Sequence, residues 1–310
     1  MICLETVRMT SPLTIQIDEA GENQAVQTRA QDAFKSALLE VDRLTDLLSE
    51  YQENSEIGRI NQNAGRQELT ISEDTANVLA LALSVAQSSD GAFDPTFRPL
   101  LNLWDYNRTH TKLPSDESIQ SALELVGYKK IEFDFQSRKI RLPKKGMWLG
   151  LGAVSKGYIV QAIVDVFRRY NFNNFLVNAG GDIFASGSKG GKSWKIGVPD
   201  PSHRNRMSFY VPVSNAAFCT SASYERFIEL NGKRYGHILN PKTGYPVQYT
   251  QGVTVIANKM AYCDAIATTI FVLGPAEGLA FADHLPQTEA IIFDENSQLL
   301  YSEGLNNWHE

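Results

Sequence analysis

The sequence predicts an α+β fold in which one domain, residues 1–310, is divided into two lobes. Segments with helical spacing occur in clusters, and they do not alternate one for one with strand-like segments as in a βαβ protein. The second half, from Trp194 onward, is rich in short segments typical of antiparallel strands. No low-complexity linker interrupts the 310 residues, so two freely moving domains are not expected.

Composition excludes several functional classes. Hydrophobic residues make up 43% and charged residues 21% of the chain, as in soluble globular proteins. The net charge of -6 argues against nucleic acid as a partner, because a phosphate backbone requires a basic surface. No apolar run approaches the roughly 18 residues of a membrane span, so no stable membrane insertion is expected.

The cysteines and the N-terminus indicate the compartment. Cys3, Cys219 and Cys263 lack the spacing of a zinc site or a disulfide framework, which favours a reducing environment. The N-terminus has no basic and apolar leader pattern. We therefore expect a cytoplasmic protein, or a periplasmic or membrane-anchored one if a leader peptide has been removed.

The first half alternates helices with polar loops. Residues 4–18 predict one strand or a bent pair of strands around Met9. Apolar residues at helical spacing predict a long helix over 24–49, and acidic residues after Ser72 mark the start of a second helix that ends near Asp90. The remaining predicted elements are a turn of helix ending near Asn61, a turn over 99–104, a helix over 116–126 and a hairpin of strands 130–135 and 139–142.

A glycine-rich stretch in the middle of the chain is a candidate anion site. Gly150 and Gly152 precede an amphipathic helix, and a buried strand with a second turn at Gly180 follows that helix. Glycines allow backbone N–H groups to approach a ligand, and a helix start favours negative charge. Lys156, expected in the first turn of this helix, adds a positive charge. The alternative is a strand-to-helix joint tightened by glycine, with a solvated lysine.

The second half predicts mostly strands. Two helices are expected near 260–273 and 275–284. The predicted strands cover 194–198, 207–213, 216–220, 226–230, 252–257, 290–293 and 298–301.

Two side chains in the first-half loops are candidate ligand contacts. Tyr51 is a lone aromatic in a polar loop, and it either packs at a rim or stacks on a planar ligand. Asp94 precedes Pro95, which forces it out of helical geometry. Asp94 therefore either faces a ligand or caps the following turn.

Two further constellations carry chemistry in the second half. Asp264 and Thr268 are four residues apart, so on a helix they share one face and offer two oxygen ligands of the kind that Mg²⁺ prefers. The alternative is an aspartate near a helix start with a threonine bonded to the preceding turn. His237 precedes a turn marked by Pro and Gly, and is either a structural histidine or a general base.

Taken in order, these pieces resemble the ApbE-like FAD:protein FMN transferase family. The resemblance extends from about Met9 to Gly274, nearly the whole chain. The motifs that carry it are Ser55-Glu56-Ile57, Ala92-Phe93-Asp94-Pro95, Gly152-Ala153-Val154-Ser155-Lys156-Gly157, Asn178-Ala179-Gly180-Gly181-Asp182, Tyr224-Glu225-Arg226, His237-Ile238 with the following Pro and Gly turn, and Asp264-Ala265-x-Ala267-Thr268.

The resemblance implies a fold, a reaction and partners. The fold is α+β with tandem T-fold-type halves and a flavin cleft between two lobes. The reaction is Mg²⁺-dependent: the FMN half of FAD, which is a substrate, moves to a Ser or Thr hydroxyl of an acceptor flavoprotein, and AMP is released. Acceptors in this family carry an Asp/Ser-Gly-Ala-Ser/Thr motif.

The resemblance also implies site residues. Asp264, Thr268 and the main-chain carbonyl of Ala153 are the implied metal ligands, Lys156 faces the dinucleotide, and His237 is the candidate base. The implied flavin or adenine contacts are Met9, Tyr51, Ala92, Phe93, Asp94, Gly150, Ser221, His237 and Ile238.

The sequence departs from the family at Gly150, where most relatives have an acid that is expected to contact the dinucleotide. Because the metal and base residues are present, catalysis is the leading hypothesis. Two alternatives stay open: a non-catalytic FAD-binding protein, and a Mg²⁺-dependent FAD pyrophosphatase in which water replaces the acceptor.

Overall fold

The computed structural model describes residues 1–19, 23–106, 112–203, 206–224 and 226–307. It confirms a mixed fold of helices and antiparallel strands. The helices are α1 (Gln24–Leu48), α2 (Glu56–Gln62), α3 (Glu73–Ser88), α4 (Arg98–Trp104), α5 (Asp116–Leu123), α6 (Gly152–Arg169), α7 (Met260–Leu273) and α8 (Pro275–Asp283).

The strands form one large sheet and three small ones within these ranges. The strands are β1 (Ile2–Arg8), β2 (Ser11–Ile17), β3 (Leu69–Thr70), β4 (Glu132–Asp134), β5 (Lys139–Arg141), β6 (Phe175–Ala179), β7 (Asp182–Ser186), β8 (Trp194–Pro199), β9 (Met207–Val213), β10 (Ala216–Ala222), β11 (Phe227–Leu230), β12 (Lys233–Gly236), β13 (Thr250–Ala257), β14 (Thr288–Asp294) and β15 (Leu299–Tyr301).

The large sheet is antiparallel throughout, with the order β1-β2-β6-β7-β10-β13-β14-β15. Side chains alternate between its two faces. In β10, Cys219 belongs to the main core beneath the helices, whereas Phe218 belongs to a second core beneath the hairpin β8–β9. The sheet is therefore covered on both faces, which explains its largely apolar central strands.

Helices α1, α3, α6 and α7 contribute to the main core. The side chain of Asn23 caps α1 by accepting a hydrogen bond from the N–H of Val26. Helices α6 and α7 approach closely at Gly157, where an added Cβ would lie 2.5 Å from the carbonyl oxygen of Met260. This contact brings the beginnings of the two helices together, and both beginnings carry predicted site residues.

A third core lies around Trp104, whose indole N–H donates to the carbonyl of Gly244 at 2.9 Å. It joins α4 and α5 to the hairpin β11–β12. This arrangement holds the turn after His237 against the first half of the chain.

Most predicted elements are found, with three differences. The bent pair of strands before α1 is confirmed as β1 and β2 around Met9. The segment expected as a turn over 99–104 is helix α4, and strands β3 and β7 were not expected. The two-lobed division stays a prediction. Among the residues described, no helix has the length and apolar character that crossing a membrane requires.

Candidate functional site

The Asp264 carboxylate is recessed, and among the described residues it has no hydrogen-bond partner. It lies in the second turn of α7, and no described residue donates a hydrogen bond to it or forms an ion pair with it. Burial raises its pKa to about 6, and the positive charge of Lys156 opposes that rise. A carboxylate that is desolvated and left without a donor favours a cation as its partner.

Thr268 lies one turn further along α7 and contacts the sheet. Its hydroxyl is 3.2 Å from the hydroxyl of Ser221 on β10. The next residue, Thr269, instead donates to the carbonyl of Ala265 at 2.8 Å within the helix. The sequence left open that the Thr268 hydroxyl bonds to the preceding turn of the helix. In the structure, Thr269 makes a bond of that kind, and Thr268 contacts Ser221.

Lys156 forms an ion pair with Asp182, which is 3% exposed. The sequence placed Lys156 in the first turn of α6, and this is wrong: the helix begins at Gly152, so Lys156 begins the second turn. Asp182 follows a turn whose glycines have φ values of 60° at Gly180 and 100° at Gly181, a region that favours glycine. The lysine therefore bridges the two glycine-rich segments.

The turn that contains Met9 lies beside the same segment. The N–H of Gly180 donates to the carbonyl of Pro12 at 2.9 Å, and an added Cβ at Gly180 would lie 2.8 Å from Cβ of Ser11. Met9 itself has a φ of 52° and is partly buried against the main core.

Tyr51 belongs to a cluster at the start of α6. Its ring is 73% exposed and lies beneath the guanidinium of Arg98, 5.1 Å from the ring centroid. Arg98 also donates to the Tyr51 hydroxyl at 3.2 Å and pairs with Glu50 at 3.3 Å. Glu50 in turn lies against Gly150, so an exposed aromatic ring is held next to the glycine-rich segment.

The loop 92–96 lies against the same segment, because the N–H of Gly150 donates to the carbonyl of Pro95 at 2.8 Å. The Asp94 carboxylate points inward. It accepts from the N–H and hydroxyl of Thr96 and from the N–H of Tyr128, at 2.8, 2.5 and 2.7 Å. These bonds fix the loop and hold the Asp94 carboxylate in the interior, where it is 6% exposed. Ala92 and Phe93 are buried at 4% and 5% exposure.

His237 is half-buried at the end of β12. Its Nδ1 lies 3.2 Å from the carbonyl of Arg226, which only accepts hydrogen bonds, so Nδ1 carries the proton and Nε2 keeps its lone pair. Burial lowers the pKa of His237 below its usual value, which keeps the ring neutral near pH 7. Ile238 is buried beside it at 9% exposure.

The structure therefore groups the predicted residues into neighbouring sets. One set holds Asp264, Thr268, Ser221 and Lys156, and a second holds Tyr51, Gly150 and the loop 92–96. Among the described residues, no hydrogen bond or ring contact joins His237 to either set, and Glu225 of the predicted motif lies outside them. Sequence reasoning missed Glu50, Arg98 and Asp182 as site residues. Of these, only Asp182 stood in a motif that was singled out.

Comparison with known proteins identifies the family of this chain. The family model described as "ApbE family" matches residues 9–292. A protein of Haemophilus influenzae named FAD:protein FMN transferase is 30% identical over 292 residues, covering 91% of this chain and 84% of its own length. One of the same name from Escherichia coli K12 is 30% identical and covers 79% of this chain and 73% of its own length.

Solved structures show the same fold. The crystal structure of the ApbE protein of Thermotoga maritima superimposes with a TM-score of 0.88 at 29% identity, covering 100% of this chain and 99% of the other. A Pseudomonas stutzeri flavinyl transferase ApbE in its apo form gives a TM-score of 0.85 at 25% identity, covering 99% and 96%. With the family model matched over nearly its whole length, this chain belongs to the ApbE family.

Proposed function

We propose that this protein is an FAD:protein FMN transferase that moves the FMN half of FAD to a Ser or Thr hydroxyl of an acceptor flavoprotein and releases AMP. The observation that carries the proposal is the recessed Asp264 carboxylate, which accepts no hydrogen bond from any described residue. It shares a helix face with Thr268, whose hydroxyl lies 3.2 Å from that of Ser221 on β10. The names of the relatives supply the reaction class, and these side chains supply the chemistry it needs.

The donor set around Asp264 fits Mg²⁺. One carboxylate and one hydroxyl, with the backbone carbonyl of Ala153, are hard oxygen ligands, and Mg²⁺ in phosphoryl-transfer sites uses few protein ligands and completes its shell with water and phosphate. The described residues contain no cluster of three or more His, Cys, Asp or Glu side chains, which argues against a site built wholly from such ligands. When bound, Mg²⁺ would neutralise charge on the transferred phosphoryl group.

The side chains can carry out the remaining tasks. The acceptor oxygen forms a new bond to the phosphorus of the FMN half as the bond from that phosphorus to the bridging oxygen breaks, so AMP leaves with the bridging oxygen. The acceptor proton needs a base, and His237 with a free Nε2 is our candidate. Lys156 places a positive charge near Asp264, and this charge would stabilise negative charge on the phosphate groups that react there.

The proposed acceptor is a flavoprotein segment with the sequence Asp/Ser-Gly-Ala-Ser/Thr. Small residues around the reactive hydroxyl allow the segment to enter a narrow site. The formal net charge of the chain is -6, which fits a protein rather than a nucleic-acid partner.

One experiment tests the proposal against its alternatives. The protein is incubated with FAD, Mg²⁺ and an acceptor domain that carries the motif. Intact-mass spectrometry then measures the domain, and chromatography measures AMP. An added FMN phosphoryl mass that disappears when the acceptor Ser or Thr is changed to Ala supports the transferase. AMP and free FMN without labelling would indicate a pyrophosphatase, and FAD binding without either product would indicate a binding protein.

A further inference from the structure

Glu50 occupies the space that a side chain at position 150 would need. An ideal Cβ built on Gly150 would lie 2.6 Å from Glu50 Oε2, and one built on Gly152 would lie 3.8 Å from Glu50 Oε1. Neither glycine has a positive φ, so backbone conformation does not require glycine at these positions. The Glu50 carboxylate and any side chain at position 150 therefore compete for the same space.

Among the described residues, one oxygen of this carboxylate has a hydrogen-bond donor and the other does not. Oε1 pairs with Arg98 at 3.3 Å, and Arg98 is itself fixed by Tyr51 and by Asn102. The Glu50 side chain is 12% exposed. Oε2 has no hydrogen-bond donor among the described residues, although it lies in a crowded place next to a backbone turn. Oε2 therefore keeps its capacity to accept a hydrogen bond, and a ligand that lies against this turn can supply the donor.

The surroundings restrict what that donor is. An anionic pyrophosphate is repelled by a carboxylate, so Oε2 suits a neutral donor such as a hydroxyl or an amino group. The exposed ring of Tyr51 beside it is a surface on which a planar ring system can stack. Hydroxyl and amino donors next to a planar ring occur together in a nucleoside.

We propose that Glu50 is a substrate-positioning residue whose free oxygen accepts a hydrogen bond from a hydroxyl or amino donor of the dinucleotide, and that Gly150 serves to admit it. This inference rests on the proposed function, because FAD is the dinucleotide expected there. It assigns to residue 50 a contact that the sequence resemblance placed at residue 150.

The test moves the carboxylate from residue 50 to residue 150. FAD affinity is measured by flavin fluorescence with Mg²⁺ present for the wild-type protein and for E50Q, E50S, G150D and the double variant E50S/G150D. We expect E50Q and E50S to weaken FAD binding at least tenfold. G150D alone should also weaken it, since its new side chain collides with Glu50. The double variant should regain most of the affinity, because removing the Glu50 carboxylate leaves space for one at residue 150.

Controls separate this role from a structural one. E53Q changes an exposed glutamate in the same loop and should bind FAD as the wild type does. Thermal unfolding of each variant identifies loss of fold. FAD analogues that lack the adenine amino group or a ribose hydroxyl identify the donor. The analogue without the donor group should bind the wild type and E50Q with equal affinity.

The outcomes are distinct. If the wild type binds FAD but E50Q binds it equally well, or if the double variant binds no better than E50S, the inference is overturned and the proposed function stands. If the wild type itself neither binds FAD nor transfers FMN, the proposed function fails, and the assignment of Glu50 fails with it.

Discussion

The ammonium group of Lys156 on α6 is paired with the buried carboxylate of Asp182, at the turn between β6 and β7. The lysine that the sequence assigns to the dinucleotide therefore also neutralises a charge inside the protein. Removing it leaves Asp182 without a counter-charge.

This pair predicts a coupled effect on stability. Lys156→Met should lower the free energy of unfolding by about 1–3 kcal/mol, since one partner is largely solvent-screened and the other is not. Adding Asp182→Asn to Lys156→Met should restore much of the lost stability. Transfer activity should stay low in Lys156→Met and in the double variant. Denaturant unfolding of the two single variants and the double variant measures the coupling. Additive stability effects would show that the pair does not act as a unit.

Asp264 should reduce the stability of the metal-free protein at neutral pH. Its folded-state pKa of about 6 lies above the ordinary value of 3.8, so the folded state binds more protons between these values, and stability falls as pH rises through that window. Asp264→Asn should therefore abolish transfer and raise the free energy of unfolding at pH 7.5 by about 1–3 kcal/mol. The measurement is thermal unfolding in EDTA at pH 7.5 and pH 4. A lower melting temperature for the variant at pH 7.5 would contradict the assignment.

Adjacent threonines on α7 provide a matched pair. Thr268→Val removes the hydroxyl that contacts Ser221 and should reduce FMN transfer at least tenfold, while Thr268→Ser should retain most of it. Thr269→Val removes a buried hydroxyl bonded within the helix and should cost about 1 kcal/mol of stability with little change in the transfer rate. Initial rates under saturating FAD compare the three. Equal losses from Thr268→Val and Thr269→Val would remove Thr268 from the site.

The rate should depend on pH through two groups with different responses to metal. Protonation of Asp264, whose pKa is about 6, should lower the transfer rate in acid and so produce an acidic limb in the pH–rate profile. A higher Mg²⁺ concentration should move this limb to lower pH, because the metal ion and the proton compete for the carboxylate. His237 titrates below its ordinary pKa, so it stays neutral at pH 7, and its limb should not move with Mg²⁺. His237→Gln should lower the rate at every pH and leave the Mg²⁺-sensitive limb in place. A limb that ignores Mg²⁺ in the wild type would argue against Asp264 as a ligand.

The sequence predicted regular elements well where periodicity was strong and long. Helices α1, α6 and α7 each present an apolar stripe that forms the main core, and their ends lie within a few residues of expectation. Strand β7 was missed because it is short, and its first residue, Asp182, is charged and follows the turn at Gly180 and Gly181.

Contacts between site residues that lie far apart along the chain were harder to predict from the sequence. Glu50 and Gly150 are one hundred positions apart, and no local pattern indicates that the carboxylate of one fills the space beside the other. Asp264 and Thr268 were predictable because helical geometry alone places them on one face. The inward carboxylate of Asp94 depends on Tyr128, a contact that only tertiary structure provides.

The proposed site is tested most directly by a crystal structure of the protein with FAD and Mg²⁺. We expect the pyrophosphate between the start of α6 and α7, with a metal ion bound by the Asp264 carboxylate, the Thr268 hydroxyl and the carbonyl of Ala153. Density for FAD at another surface, with Asp264 still lacking a ligand in saturating Mg²⁺, would contradict it.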